Sequence, residues 1–148
     1  MNDKLTIITK RILDFMFYSG ILVTITLPFS IRFLGKYNDY FASNYIALVL
    51  LFLFSGFFAI LIIYELRKMF QSVLNDDCFV QENVVSLRRM GSYSFVIALI
   101  TAGRLIIYIT LTEMVVILVF VIAGLFSKVL SLVFDKAITY KLENDLTI

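Results

Sequence analysis

Long runs of apolar residues, separated by short polar stretches, dominate the chain. One run, Tyr45–Tyr64 (YIALVLLFLFSGFFAILIIY), contains no charged residue at all. About 20 residues, at a helical rise of about 1.5 Å each, cross a hydrocarbon core of about 30 Å. Three further runs lie at about 12–33, 92–111 and 114–134. The pattern predicts an all-α integral membrane four-helix bundle, in which residues 1–148 form one four-span domain.

The first apolar run contains Pro28 and follows a basic N-terminal segment. Proline removes one hydrogen bond from a helix, so we expect a kink or an early end near Thr24–Pro28. The run is longer than the core of a signal peptide, and no small-residue cleavage site follows it. These features favour an uncleaved first span.

Lysine and arginine are unevenly distributed among the polar stretches. They precede span one, lie within residues 65–91 between spans two and three, and follow span four. The other side of a four-span arrangement has only Arg32 and Lys36. Because basic loops favour the cytoplasm, we expect both termini, residues 65–91 and the tail 135–148 to be cytoplasmic.

Composition narrows the classes of function. Of the 148 residues, 61% are hydrophobic and 16% are charged, against about 45–50% and about 25% in a soluble domain. The net charge of +2 is too small to indicate direct nucleic-acid binding.

With no histidine and a lone cysteine, Cys78, we expect no intrachain disulfide and no metal site. The sequence shows neither a phosphate-binding loop nor a nucleophile with its base, so we expect no cofactor and a non-enzymatic protein.

The stretch between spans two and three has a helical pattern of its own. Within ELRKMFQSVLN (65–75), apolar residues recur at i, i+3, i+4, i+7 and i+8, so span two is expected to continue as an amphipathic helix or to bend along the surface. The run NDD (75–77) is expected to end it, and a new helix is expected to begin near 81–82. An architectural role for 65–91 and a partner-binding or ligand-sensing surface both fit this pattern.

The tail after span four also has helical periodicity. Its apolar row consists of Phe134, Ile138, Leu142 and Leu146, four residues apart. Span four is therefore predicted to extend as a helix beyond the membrane.

Three ionisable side chains lie within the apolar runs, namely Asp14, Arg104 and Lys128. A charge in lipid costs roughly 2.5–3.5 kcal/mol on insertion scales and needs a partner or a route to the interface. From their depths, we expect Asp14 to pair with Lys128, and Arg104 to reach Glu113 across the turn between spans three and four. Ion transport is disfavoured because no chain of acids or histidines crosses the membrane. Recognition of an anionic lipid or amphiphile by Arg104 is the functional alternative.

Small residues recur every four positions in spans three and four. They are Ser94, Ala98 and Ala102 in span three, and Ala123, Ser127 and Ser131 in span four. This spacing lets helix backbones approach closely. Because a short turn joins the two spans, the spacing favours packing between them over a dimer interface.

Two segments resemble a known family. They are CFVQENVVSLRRMG, which follows KMFQSVLND, and the tail VFDKAITYKLENDLTI. They resemble the YoaS-like family of uncharacterised small four-span bacterial membrane proteins, a domain of unknown function, and the resemblance covers essentially the whole chain. The matching residues are Phe79, Glu82, Asn83, Leu87 and Arg88 in the first segment, and Glu143, Asn144, Asp145, Leu146, Thr147 and Ile148 in the second. Where family members often have Gly-Pro or Asn-Pro before the phenylalanine, this chain has Asp77-Cys78.

The resemblance implies a location and a partner. Family members are commonly encoded beside a small helix-turn-helix regulator, which implies a regulatory protein of the bacterial cytoplasmic (inner) membrane whose cytoplasmic face binds such a DNA-binding protein. Alternatively, the two segments contact each other, with Arg88 or Arg89 paired to Glu143 or Asp145. The sequence also leaves open a lipid- or small-amphiphile-binding or transport protein, and an accessory subunit of a membrane complex. A homo-oligomer is possible but not indicated.

Overall fold

Four long helices and one short helix make up most of the molecule. In a computed structural model, which describes residues 4–146, they are α1 (Lys4–Leu34), α2 (Asp39–Ser43), α3 (Tyr45–Leu74), α4 (Gln81–Ile107) and α5 (Leu111–Leu146). No strand occurs among the described residues, which confirms the all-α prediction. The four long helices are each long and apolar enough to cross a membrane. The chain is therefore a multi-pass membrane protein whose helices are compatible with a membrane four-helix bundle.

The long helices pack in the order of the sequence. α1 contacts α3, α3 contacts α4, and the contact between α4 and α5 is the most extensive. No Cα atom of α1 lies within 8 Å of one in α5 among the described residues. Short loops make consecutive helices antiparallel, so the molecule has two ends. We call the end with Lys4, residues 75–80 and Leu146 the terminal end, and the end with residues 35–44 and 108–110 the loop end.

Backbone chemistry explains where α3 ends. Asp76 has a φ of 57°, the left-handed conformation that aspartate and asparagine tolerate better than most residues. The N–H groups of residues 75–77 donate to the carbonyl oxygens of residues 71–73, which satisfies the last turn. The predicted break at 75–77 and the predicted new helix near 81–82 are both confirmed.

The helix boundaries differ from the prediction in two places. α1 runs without interruption through Pro28, so the expected early end is wrong. In lipid, ending a helix exposes several backbone groups, whereas proline costs only one hydrogen bond. The turn between α4 and α5 consists of residues 108–110 rather than 112–113, because the Thr110 hydroxyl accepts a hydrogen bond from the Glu113 N–H at 3.1 Å and so begins α5 earlier.

Both predicted helical extensions are present at the terminal end. α3 continues to Leu74 and α5 continues to Leu146 without a break. Thr147 and Ile148, the last residues of the predicted tail motif, lie outside the described residues. Each extension is therefore continuous with a helix that is long and apolar enough to cross the membrane.

The contact between α4 and α5 is close because small residues line it. A β-carbon added to Gly124 would lie 2.7 Å from the Phe95 ring, and one added to Gly91 would lie 2.9 Å from the side chain of Lys128. The predicted small residues Ser94, Ala98, Ser127 and Ser131 are buried here. Packing of these two helices against each other is thus confirmed, with the two glycines completing the small-residue row.

Candidate functional site

The terminal end of α3 carries a buried carboxylate that the sequence analysis did not single out. Glu65 is 3% exposed; it accepts a hydrogen bond from the Ser86 hydroxyl of α4 at 2.7 Å. It also forms ion pairs with Lys68 at 3.2 Å and with Arg89 at 3.5 Å. Because a buried charge is costly unless paired, this network fixes α3 against α4. The signal in the sequence is that Glu65 is an acid directly after the charge-free run.

A second polar contact closes the loop between α3 and α4. Asn83 is buried, and its side-chain amide donates to the Ser72 hydroxyl at 2.7 Å and to the Cys78 carbonyl at 2.6 Å. The Phe79 ring packs on Phe134 of α5, with ring centroids 5.2 Å apart. Leu87 of the same motif is also buried, at the helix contact. These motif residues therefore hold the loop against its neighbouring helices.

The remaining motif residues lie on the surface. Glu82 and Arg88 are exposed on α4. Every residue from 139 to 146 in α5 is also exposed, and this stretch includes the predicted residues Glu143, Asn144 and Asp145. The two segments that carry the resemblance thus each present exposed side chains at the terminal end.

The expected ion pair between these two segments is absent from the part of the chain that the structure describes. Neither Arg88 nor Arg89 pairs with Glu143 or Asp145. The Arg89 guanidinium instead pairs with Glu65, because the buried carboxylate on the neighbouring helix is closer than the end of the α5 extension. That prediction is therefore wrong.

Asp14 and Lys128 do not pair either. Asp14 accepts hydrogen bonds from Lys10 at 2.8 Å and from Arg67 of α3 at 2.6 Å. Lys128 donates to the Ser92 hydroxyl of α4 at 2.8 Å. Because α1 packs on α3 and α5 packs on α4, and no Cα atom of α1 lies within 8 Å of one in α5 among the described residues, a similar depth in the membrane does not bring these two side chains together.

Arg104 lies at the loop end with the partner that the sequence predicted. Its Nη2 atom is 3.1 Å from the Glu113 carboxylate, and its guanidinium carbon is 4.3 Å from the centre of the Phe52 ring. The residue is only 8% exposed. The Nε atom of Arg104 has no hydrogen-bond partner among the described residues. The Oε2 atom of Glu113 has none either, because its contact with Nη2 is close but poorly aligned for a hydrogen bond. Arg104 therefore keeps an unused donor in a buried position.

Arg104 lines two cavities. The first, which we call the loop-end cavity, has a volume of about 280 Å³ and a mixed lining. Its polar lining residues are Asn38, Tyr40, Arg104, Tyr108, Thr110 and Glu113. The second, the interhelical crevice, has a volume of about 310 Å³, is mostly apolar and is lined by all four long helices. Phe52 and Arg104 line both cavities.

Two tyrosines shape the loop-end cavity. The Tyr40 and Tyr108 rings lie 4.7 Å apart, so they join α2 to the end of α4. Asn38 positions Tyr40, because its side chain accepts a hydrogen bond from the Tyr40 N–H at 3.0 Å. Burial raises the pKa of the Tyr40 hydroxyl, and the Glu113 carboxylate raises it further. The Tyr40 hydroxyl thus keeps its proton at neutral pH and can donate a hydrogen bond, and Tyr40 lines the same cavity as Arg104.

These features define a class: a multi-pass protein of four long antiparallel helices, with a buried arginine at one end and an exposed extension of α5 at the other. Within residues 4–146, no group of three or more potential ligands could hold a metal ion. The chain belongs to the family described as "Protein of unknown function (DUF2975)", whose model matches residues 13–148. No curated protein and no solved structure is significantly similar to it.

Proposed function

We propose that this protein is a non-enzymatic regulator in the bacterial cytoplasmic (inner) membrane, with both termini in the cytoplasm. Its terminal end binds a soluble partner. The resemblance to the YoaS-like family supports a small helix-turn-helix transcription regulator as that partner. The excess of lysine and arginine in the segments at this end supports the orientation.

The observation that carries the proposal is the exposed end of α5. A helix of 36 residues is about 54 Å long, well above the roughly 30 Å of the hydrocarbon core, so part of α5 projects beyond it. In the last turns, Tyr140 is 67% exposed, Leu142 57% and Leu146 86%. Exposed apolar side chains on a projecting helix mark a surface for another protein.

The last four described residues of α5, 143–146, have two acidic side chains and no basic one, which suits a DNA-binding partner. Glu143 and Asp145 lie between the exposed apolar side chains of the last turns. DNA-binding proteins carry basic surfaces, and complementary charge raises the association rate and the specificity of a complex.

The test measures binding of the full chain in lipid nanodiscs to the small helix-turn-helix protein encoded beside its gene. We expect saturable binding that falls at least tenfold when Tyr140, Leu142 and Leu146 are all changed to alanine. The matched control is Lys136→Ala/Lys141→Ala on the same helix, which removes two positive charges but leaves the apolar side chains in place and should bind at least as tightly as the wild type. Equal binding by the triple variant and the wild type would refute the role of the extension. The absence of such a neighbouring protein, or of any binding to it, would refute the choice of partner.

A further inference from the structure

We propose that Arg104 is the head-group residue of a binding site for an anionic single-chain amphiphile. The anionic head would lie in the loop-end cavity, and the hydrocarbon chain would lie in the interhelical crevice. This inference concerns the opposite end of the molecule from the proposed regulator-binding surface and does not depend on it.

The first step concerns the hydrogen-bonding state of Arg104. A guanidinium is always charged and has five N–H donors in a fixed plane, which favours two parallel bonds to a carboxylate or phosphate. Here the Glu113 carboxylate is 3.1 Å from Nη2, and Nη2 is also 3.5 Å from the Thr101 hydroxyl. The Nε donor is buried and has no partner among the described residues. A buried donor without a partner is costly, so an anion from outside the chain would complete the set.

The second step concerns the room for a head group. The loop-end cavity, of about 280 Å³, is lined by Arg104, Tyr40 and Thr110, each of which has a hydrogen-bond donor in its side chain. It lies at the end of the spans, where head groups of a bilayer lie. Several donors around one small space at that depth suit a carboxylate or phosphate head.

The third step concerns the room for a chain. Protein interiors are close-packed, with few voids larger than a water molecule. The interhelical crevice, of about 310 Å³, is lined by all four long helices, and no Cα atom of α1 lies within 8 Å of one in α5 among the described residues. Its lining is apolar except for a few hydroxyl groups and Arg104, and the Ser55 hydroxyl is buried there without a partner. Each cavity is near the lower limit of ligand pockets, and Phe52 and Arg104 line both of them.

The fourth step concerns Glu113, an acidic residue that lines the loop-end cavity. Its carboxylate competes with any anionic ligand for the same guanidinium, since the two negative charges repel. Replacing Glu113 with glutamine should therefore strengthen binding of an anion. A merely structural Arg104–Glu113 pair would not produce that gain.

The experiment measures binding of radiolabelled dodecyl phosphate to the full chain in phosphatidylcholine nanodiscs. Unlabelled dodecanol supplies the chain without the charge, inorganic phosphate supplies the charge without the chain, and laurate supplies a carboxylate head. We expect dodecyl phosphate or laurate to compete at least tenfold better than dodecanol, and inorganic phosphate not to compete at the same concentration. The better of the two anionic competitors assigns the head as phosphate or carboxylate, and either result supports the site.

Three variants separate the head group from the chain. Arg104→Gln should lower the affinity at least tenfold, and Glu113→Gln should raise it severalfold. Ala59→Phe places a ring in the crevice and should lower the affinity at least tenfold while leaving Arg104 in place. Equal competition by dodecanol and dodecyl phosphate would overturn the proposal. If Arg104→Gln does not fold, unchanged affinity in both other variants would overturn it as well.

Discussion

Replacing Glu65 with alanine should destabilise the contact between α3 and α4 at the terminal end. The substitution removes the acceptor of the Ser86 hydroxyl, and it leaves two cations, Lys68 and Arg89, without their carboxylate. It therefore removes one buried hydrogen bond to a charged group and two ion pairs of unequal burial.

The magnitude follows from how far each partner is exposed. A hydrogen bond to a charged group contributes about 1.5–3 kcal/mol. The side chains of Lys68 and Arg89 are 43% and 54% exposed, so each ion pair is screened by solvent and contributes only about 0–1 kcal/mol. We expect Glu65→Ala to lower the free energy of unfolding by about 2–4 kcal/mol, which corresponds to a Tm lower by roughly 5–15 °C at about 2–4 °C per kcal/mol.

The assay is thermal unfolding in detergent micelles, followed by the loss of helical circular dichroism. Ser86→Ala is the matched control: it removes the same hydrogen bond and leaves both ion pairs, so its effect should be smaller. In a double-mutant cycle, Glu65→Ala and Ser86→Ala should be less than additive, because they remove one shared bond. A Tm for Glu65→Ala within about 1 °C of the wild type would refute the reasoning, because a buried network of this kind should contribute more.

Three further predictions concern other parts of the molecule. Gly124→Ala should cost about 1–3 kcal/mol of stability in the same assay, because its β-carbon meets the Phe95 ring; Gly103→Ala, where nothing lies within 4 Å, should be neutral or stabilising, and equal effects would contradict the close contact. Asn83→Ala removes two hydrogen bonds from the α3–α4 loop and should speed maleimide labelling of Cys78 severalfold; an unchanged rate would show that Asn83 does not hold the loop. In the wild type, a membrane-impermeant maleimide should label Cys78 in inverted membrane vesicles but not in intact spheroplasts, and the reverse result would overturn the proposed orientation.

Local patterns predicted the helices well because hydropathy acts residue by residue. A run such as Tyr45–Tyr64, without a charge, has one stable state in lipid, in which each backbone group is bonded within the helix. Boundaries depend on finer contacts. The Thr110 hydroxyl accepts a hydrogen bond from the first turn of α5, so α5 begins at Leu111. In α1, the hydrogen bond lost at Pro28 costs less than ending the helix within the membrane, so α1 continues to Leu34.

Whether a predicted ion pair was correct depended on how far apart its two residues are along the chain. Arg104 and Glu113 lie on either side of one short turn, so their ion pair followed from the sequence and is present. Asp14 and Lys128 are far apart in the sequence. Their similar depth in the membrane does not indicate whether the helices that carry them are neighbours. The structure gives them different partners.

The sequence by itself determined that this is a membrane protein with four helical spans, because an uninterrupted apolar run is a local property and lipid allows it few structures. Only the tertiary structure decided which helices are neighbours. That order of packing brings Ser86 of α4 to Glu65 of α3, and it holds α1 and α5 apart so that a crevice reaches Arg104. Both features depend on contacts between residues distant in the chain, which no pattern along the sequence specifies.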